Sequence, residues 1–293
     1  MTLQEVARLL EENHYISDEK ITMSVFLSIS LNKPILIEGP PGVGKTEIAK
    51  VLAKALETEL IRLQCYEGLD VNQSIYEWNY QHQLLYLKMD ESEKSLEEKE
   101  ETIFSEKFLL KRPLLQSISK ETSPVLLLDE IDRADEEFES FLLELLSDYQ
   151  ISIPELGTIA AKSIPHVILT SNRNRELSEA LRRRCLYLWI DFPDFEKEKQ
   201  IVEQKVPQIN KRLAAQIVYF MQELRKLRLQ KVPGIAETLD WALALSNMHF
   251  DALDVKIIES TLGIIIKDWQ DTRLSQDSLS ELFDKVKVKM KVH

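Results

Sequence analysis

Three of the seven glycines in this 293-residue chain fall within six positions, in Gly39-Pro40-Pro41-Gly42-Val43-Gly44-Lys45-Thr46. The run follows the apolar stretch Pro34-Ile35-Leu36-Ile37-Glu38 and precedes Glu47 to Leu56, where Ile48, Val51, Leu52, Ala55 and Leu56 recur at helical spacing. A strand, a glycine turn and a helix in that order are the context that G-x-x-x-x-G-K-[ST] requires. Glycine lets backbone N–H groups turn inward onto phosphate, and the helix start near Gly44 adds the positive end of its dipole. The loop implies a bound nucleoside triphosphate. Lys45 is then expected to reach the β- and γ-phosphates and the Thr46 hydroxyl to ligate Mg2+.

Apolar strand-like runs alternate with amphipathic stretches as far as about residue 190, the pattern of a parallel sheet covered by helices. Strands are predicted at Ile35 to Ile37, Leu60 to Leu63, Val125 to Leu128, His166 to Thr170 and Leu186 to Ile190. After Asp191-Phe192-Pro193 only helical spacing is found, in Ala214 to Leu227, Leu239 to Leu245 and Val255 to Ile266. An α/β nucleotide-binding core over 1–192 and an all-helical domain over 193–293 are therefore expected.

The second expected half of the site is Val125-Leu126-Leu127-Leu128-Asp129-Glu130, an apolar strand ending in two carboxylates. Asp129 would position Mg2+ through its water shell, and Glu130 would orient or deprotonate the attacking water. His166-Val167-Ile168-Leu169-Thr170-Ser171-Asn172 repeats the logic with a neutral group that holds the water or contacts the γ-phosphate. On local sequence alone Asn172 reads as a turn residue; its order after the acidic strand favours the functional role. In Ala180-Leu181-Arg182-Arg183-Arg184-Cys185, Arg184 and then Arg183 are the expected donors to a neighbouring subunit's γ-phosphate, which commits the chain to an oligomer.

The formal net charge of −12 argues against a chain whose main task is gripping nucleic acid. Arg225, Lys226, Arg228 and Lys231, and the tail Lys285, Lys287, Lys289 and Lys291, read as solvated surface. The segment Glu91 to Glu101 reads as an exposed loop or a solvated helix face. Two cysteines, Cys65 and Cys185, read as small buried hydrophobes, and five scattered histidines predict no structural metal. No apolar run is long enough to span a bilayer and the first residues lack signal-peptide features, so a cytoplasmic location is expected. ATP is favoured over GTP because no Asn-Lys-x-Asp motif occurs, Asn32-Lys33-Pro34 being followed by Ile35.

The ordered set Gly39 to Thr46, Leu128-Asp-Glu-Ile-Asp132, Thr170-Ser-Asn172 and Arg183-Arg-Cys185 resembles an AAA+ ATPase of the MoxR family over essentially the whole chain. Gln64 to Asp70, Tyr76 to Tyr80, Leu181 to Leu186 and Trp189 to Pro193 place the resemblance nearest the branch that includes the CO-dehydrogenase maturation ATPases. The resemblance implies an αβα core with strand order 5-1-4-3-2, a helical lid, inserts near 64–88 and 149–160, and hexamers with ATP between subunits. It also implies a partner with a von Willebrand A domain, a chaperone-like role in maturing a metalloenzyme such as a molybdenum hydroxylase, and an adenine contact near Tyr15-Ile16. Independently, Ile151, Ile153 and Ile159 around Pro154-Glu155-Leu156-Gly157 fit a hairpin. Two departures stand out. Gly234 to Trp241 supplies no lid arginine, leaving Glu237 or Thr238 as helix-start residues, and Asp132 stands where relatives often have Asn, as a cap or a partner of Arg133 or another basic neighbour. A nucleic-acid-dependent motor and a nucleotide switch with little turnover are the alternative readings.

Overall fold

In the computed structural model the described residues are 1–70, 74–89 and 95–292, so Glu91 to Lys94 of the acidic segment lie outside them. By their contacts they form two compact units, one of Met1–Glu38 with Thr46–Trp189 and one of Gly39–Lys45 with Ile190–His293.

The first unit is built on five parallel strands: β1 (Ile35–Glu38), β2 (Leu60–Gln64), β5 (Val125–Asp129), β8 (His166–Ser171) and β9 (Leu186–Trp189), in spatial order β2-β5-β8-β1-β9. Numbered among themselves, these strands stand in the order 5-1-4-3-2. β1 and β5 are buried at every position, which is why their sequences are continuous apolar runs without alternation. Register aligns Leu128 with Leu169 and Glu38 with Ser171, so β1, β5 and β8 end level with one another.

Helix α1 (Leu3–Glu12) starts with a capping box of Thr2 and Glu5, and α2 (Glu19–Leu31) is capped by Asp18, whose Oδ1 accepts from Ile21 N at 2.9 Å. α3 (Lys45–Ala55) follows the glycine turn. Between β2 and β5 lie β3 (Tyr76–Trp78), α4 (Tyr80–Met89), α5 (Leu96–Ile103), β4 (Leu109–Lys111) and α6 (Pro113–Ile118), with β3 and β4 paired antiparallel. α7 (Glu136–Asp148) is capped by Asp135 and packs Phe138, Leu142 and Leu145 into the core beside Leu114, Leu115 and Ile118 of α6. It leads into the antiparallel hairpin β6 (Gln150–Ile153) and β7 (Gly157–Ala160), in which Ile151 and Ile153 are buried and Ser152 is exposed. α8 (Glu179–Arg184) connects β8 to β9.

The second unit carries α9 (Phe195–Lys205), α10 (Lys211–Leu224), α11 (Ile235–Asn247), α12 (Val255–Ile265) and α13 (Trp269–Val292). Asp194, Asn210 and Asp254 cap the first, second and fourth of these. Phe220, Trp241, Leu213, Ile258 and Val286 form its core, and the Trp241 Nε1–H donates to Thr261 Oγ1 at 2.9 Å, so the indole is buried with its polar atom satisfied. One surface expectation is corrected here. The side chain of Arg225 is buried: its guanidinium grips both carboxylate oxygens of Glu198 at 2.6 and 2.7 Å, donates to Pro233 O and Thr238 Oγ1, and lies over the Phe192 ring. The tail lysines are paired on the surface, Lys285 with Glu281, Lys287 with Asp284 and Lys289 with Glu223. Among the described residues no helix is long and apolar enough to cross a membrane.

Candidate functional site

The glycine loop belongs to the second unit. Gly44 has φ +91° with no atom within 4 Å of an added Cβ, so glycine is needed there for its left-handed backbone and leaves open space over the loop. Gly42 is needed for close approach as well. An added Cβ on it would meet Gly234 Cα at 2.9 Å, and Gly42 O accepts from Ile235 N at 2.8 Å. Lys45 donates from Nζ to Gly39 O at 2.8 Å and Pro40 O at 2.7 Å, an arrangement that holds the ammonium along the loop. At the foot of α11, Glu237 Oε2 accepts from Gly234 N at 2.8 Å, the half of a capping box that a glycine N-cap allows, and the buried Thr238 hydroxyl donates to Glu198 at 2.8 Å. These are helix-start roles.

In the first unit Thr46 begins the chain's return to the core, and its hydroxyl donates to Asp129 Oδ1 at 2.9 Å. The Thr170 hydroxyl donates to the same oxygen at 2.6 Å while accepting from Glu130 N at 2.9 Å. Arg62 closes the other side, with Nε and Nη2 on Asp129 Oδ2 at 3.0 and 2.5 Å. Asp129 is 3% exposed, and its two oxygens are held by one guanidinium and two hydroxyls. Cys65 lies close to this acidic turn. Burial first, and then the charges of Asp129, Asp132 and Glu130, push its thiol up to about 12.

Glu130 follows with φ +55°, a left-handed conformation uncommon for a residue with a side chain, and its carboxylate pairs with Arg133 Nε at 2.6 Å. Of the two roles expected for Asp132, a cap or a partner of Arg133 or another basic neighbour, the pairing with Arg133 is corrected, since Arg133 is taken by Glu130. Asp132 turns inward and accepts from Asn172 N at 3.2 Å and from Asn174 N and Nδ2, both at 2.8 Å. Asn172 leaves the end of β8 immediately after Ser171. The next residue, Arg173, has φ +60° and reaches the buried Glu38 carboxylate at 3.8 Å, where Tyr187 OH also donates at 3.0 Å.

The three arginines of α8 differ. Arg184 is tied to Ser147 Oγ at 2.5 Å and Ala180 O at 3.0 Å, and Arg182 lies over the Tyr187 ring at 5.6 Å. Arg183 pairs along its own helix with Glu179, and its side chain is 76% exposed. Sequence reasoning assigned no role to Arg62 or Thr170. The available signal for Arg62 was a single cation inside the apolar strand Leu60-Ile61-Arg62-Leu63, which pairs in register with the acidic strand.

The first unit thus brings together a hydroxyl directly after the glycine loop, a buried carboxylate that it touches, a second carboxylate one residue on, and an amide at the neighbouring strand end. Such a set suits binding of a metal-bound triphosphate and attack by water. An uncharacterised protein of Staphylococcus haemolyticus is similar to the chain, 27% identical over 282 residues that cover 93% of this chain and 98% of the relative. A second, of a bovine Staphylococcus aureus strain, is 28% identical over 73% of this chain and 76% of its own. Among solved structures, a mutant of Thermotoga maritima RuvB aligns with a TM-score of 0.52 at 19% identity, covering 93% of this chain and 72% of that one, a likeness of fold. Residues 34–185, more than half of the chain, match the family described as AAA domain (dynein-related subfamily), and the chain belongs to that family.

Proposed function

We propose that this chain is an ATP-hydrolysing AAA+ remodelling protein of the MoxR type, working as a hexamer. The observation that carries the reading is the web at Asp129, where the hydroxyls of Thr46 and Thr170 meet one buried carboxylate oxygen directly beside Glu130. Thr46 Oγ1 and Asp129 Oδ1, 2.9 Å apart, are hard oxygen donors of the kind Mg2+ takes, so the residues present fit the metal. When bound there, Mg2+ supplies neutralisation of charge on the β- and γ-phosphate oxygens.

The chain's own groups do the rest. The backbone of Gly39 to Gly44 cradles the phosphates and Lys45, swinging from the loop carbonyls, binds the terminal ones. Glu130 releases Arg133 and takes the proton of the attacking water, while Asn172 orients that water without adding negative charge. The arginine that completes the site comes from a neighbouring subunit. The tethering of Arg184 and the exposure of Arg183 favour Arg183 for this part, with Arg184 holding α8 against Ser147.

Turnover of ATP by the wild type and by Glu130→Gln tests the proposal. A loss of about 10²-fold or more in the variant is expected, with nucleotide binding retained. Equal, negligible rates in both would sink the enzyme reading and leave a nucleotide switch. Mixing Arg183→Ala with Glu130→Gln protomers is expected to restore some turnover at interfaces that pair two intact halves. The von Willebrand A partner and the metalloenzyme target, a molybdenum hydroxylase in the nearest branch, rest on Gln64 to Asp70, Tyr76 to Tyr80 and Trp189 to Pro193. Co-purification of this chain with a von Willebrand A domain protein, strengthened by ATP, tests that part.

A further inference from the structure

The turn after β5 holds a carboxylate that the proposed hydrolysis leaves unused. Asp132, in the 3-10 turn Ile131–Arg133, is 2% exposed, yet the adjacent cation Arg133 is turned away to Glu130. Three hydrogen bonds converge on one of its oxygens, Oδ2, and all come from Asn172 and Asn174. The other oxygen, Oδ1, is buried with no hydrogen-bond partner among the described residues. A buried carboxylate half of which is bare is an expensive way to hold a loop for shape alone, since a buried acceptor without a donor keeps its desolvation cost.

We infer that Asp132 is a positioning residue that fixes the distance between Glu130 and Asn172, so that both face one attacking water. The inference rests on the ATP-hydrolysis reading. Two cross-links join the ends of β5 and β8. Thr170 ties the second strand to Asp129 and Glu130, and Asp132, two residues beyond Glu130 on the same tight turn, ties it to the loop that Asn172 begins. With both in place the carboxylate and the amide move as one body. What the second link needs at position 132 is an acceptor oxygen for these three donors. Thr170 also touches the oxygen expected to face the metal, so its loss would blur binding with chemistry. Among the described residues the hydrogen bonds to Asp132 come from the Asn172 loop and none from Thr46 or Asp129, so its loss falls on the chemical step, where a misplacement of about 1 Å costs on the order of 10² in rate.

The test uses the full chain and four variants, Asp132→Ala, Asp132→Asn, Asn174→Ala and the double Asp132→Ala/Asn174→Ala, with steady-state ATP turnover, binding of a fluorescent ATP analogue and thermal melts. Asp132→Ala is expected to lose about 10- to 100-fold in kcat with KM and analogue affinity within about twofold of wild type. Asp132→Asn is expected to recover most of that loss, its carbonyl accepting the same three donors while its amide takes the place of Oδ1. Asn174→Ala, a change at an exposed residue, removes one donor and lowers kcat by about threefold, and the double variant is no slower than Asp132→Ala because the two share one interaction. Wild-type kcat in Asp132→Ala, a rise in KM that matches the fall in kcat, no rescue by Asn, or losses that multiply in the double variant would each overturn the assignment. If Asp132→Ala fails to fold, wild-type kcat in both Asp132→Asn and Asn174→Ala overturns it. Absence of turnover in the wild type itself overturns the hydrolysis reading and this assignment together, whereas active wild type with indifferent variants overturns only the latter.

Discussion

Substituting Gly234 by alanine isolates the contact between α11 and the phosphate loop. Gly234 has φ −88°, which alanine adopts freely, so any effect is steric rather than conformational. An added Cβ would stand 2.6 Å from Gly42 Cα and 2.8 Å from Gly42 O. Ordinary carbon contacts lie at about 3.5–4.0 Å, so the overlap is about 1 Å, and all of it is against backbone that has no rotamer to change. Overpacking of this kind costs about 1–3 kcal/mol. At about 2–4 °C per kcal/mol for a chain of this size class, the melting temperature should fall by roughly 2–12 °C. The phosphate loop is also displaced, so affinity for a fluorescent ATP analogue should fall by about tenfold or more. Gly263→Ala in α12 is the control: an added Cβ there meets nothing within 4 Å, and replacing a helical glycine should stabilise by about 0.5–1 kcal/mol. Gly234→Ala with wild-type melting and affinity, measured beside a stabilised Gly263→Ala, would refute the close-contact argument.

Two further outcomes follow from the buried charges and thiols. Arg225→Ala leaves Glu198, with 0% side-chain exposure, as an uncompensated buried carboxylate, and should cost about 3–5 kcal/mol in urea unfolding. Cys65, with its thiol pushed up from 9.0 to about 12 by burial and by the nearby carboxylates, contributes stability that is present below about pH 9 and is lost as pH rises towards 12. The urea midpoint should therefore fall less between pH 8 and pH 10 in Cys65→Ala than in the wild type, and iodoacetamide at pH 8 should label Cys65 only on unfolding.

The three central strands β1, β5 and β8 were legible because each carries a short, continuous apolar run, the signature of strands covered on both faces, and because the acidic and amide ends follow the phosphate loop in order. The hairpin at β6 and β7 was legible for the opposite reason, since Ile151 and Ile153 alternate with the exposed Ser152. Arg225 was not. It sits in Arg225-Lys226-Leu227-Arg228, which has the composition of a solvated face, and its partner Glu198 lies on another helix with no periodicity to link them. For Asp132 the sequence left a cap and an ion pair open, and the choice was not legible because the neighbouring cation, Arg133, points away to Glu130. The helix α13 was obscured by its lysines, although Leu279, Leu282, Phe283 and Val286 carry helical spacing and are all buried. In each case the missing information was which face of a turn or helix the fold would enclose.

Gly234 to Trp241 holds no arginine, so what α11 brings to the phosphate loop is backbone and one carboxylate. Within the second unit its first turn touches that loop through backbone, Ile235 N donating to Gly42 O at 2.8 Å. The charged group at that turn is an anion. Glu237 Oε2 stands 3.6 Å from where a Cβ on Gly42 would sit. This carboxylate therefore stabilises the helix start while opposing the negative charge the loop is shaped to receive. The two effects can be separated. Glu237→Gln keeps an oxygen for Gly234 N but gives up the charge at the helix start, which should cost about 0.3–1 kcal/mol in stability. The same change removes a like charge from beside the loop and should raise nucleotide affinity by a few fold. A variant that melts slightly lower yet binds the ATP analogue more tightly, with the gain shrinking as salt is raised, is the expected outcome. Weaker binding, or a gain indifferent to salt, would mean that Glu237 serves the loop only as a cap.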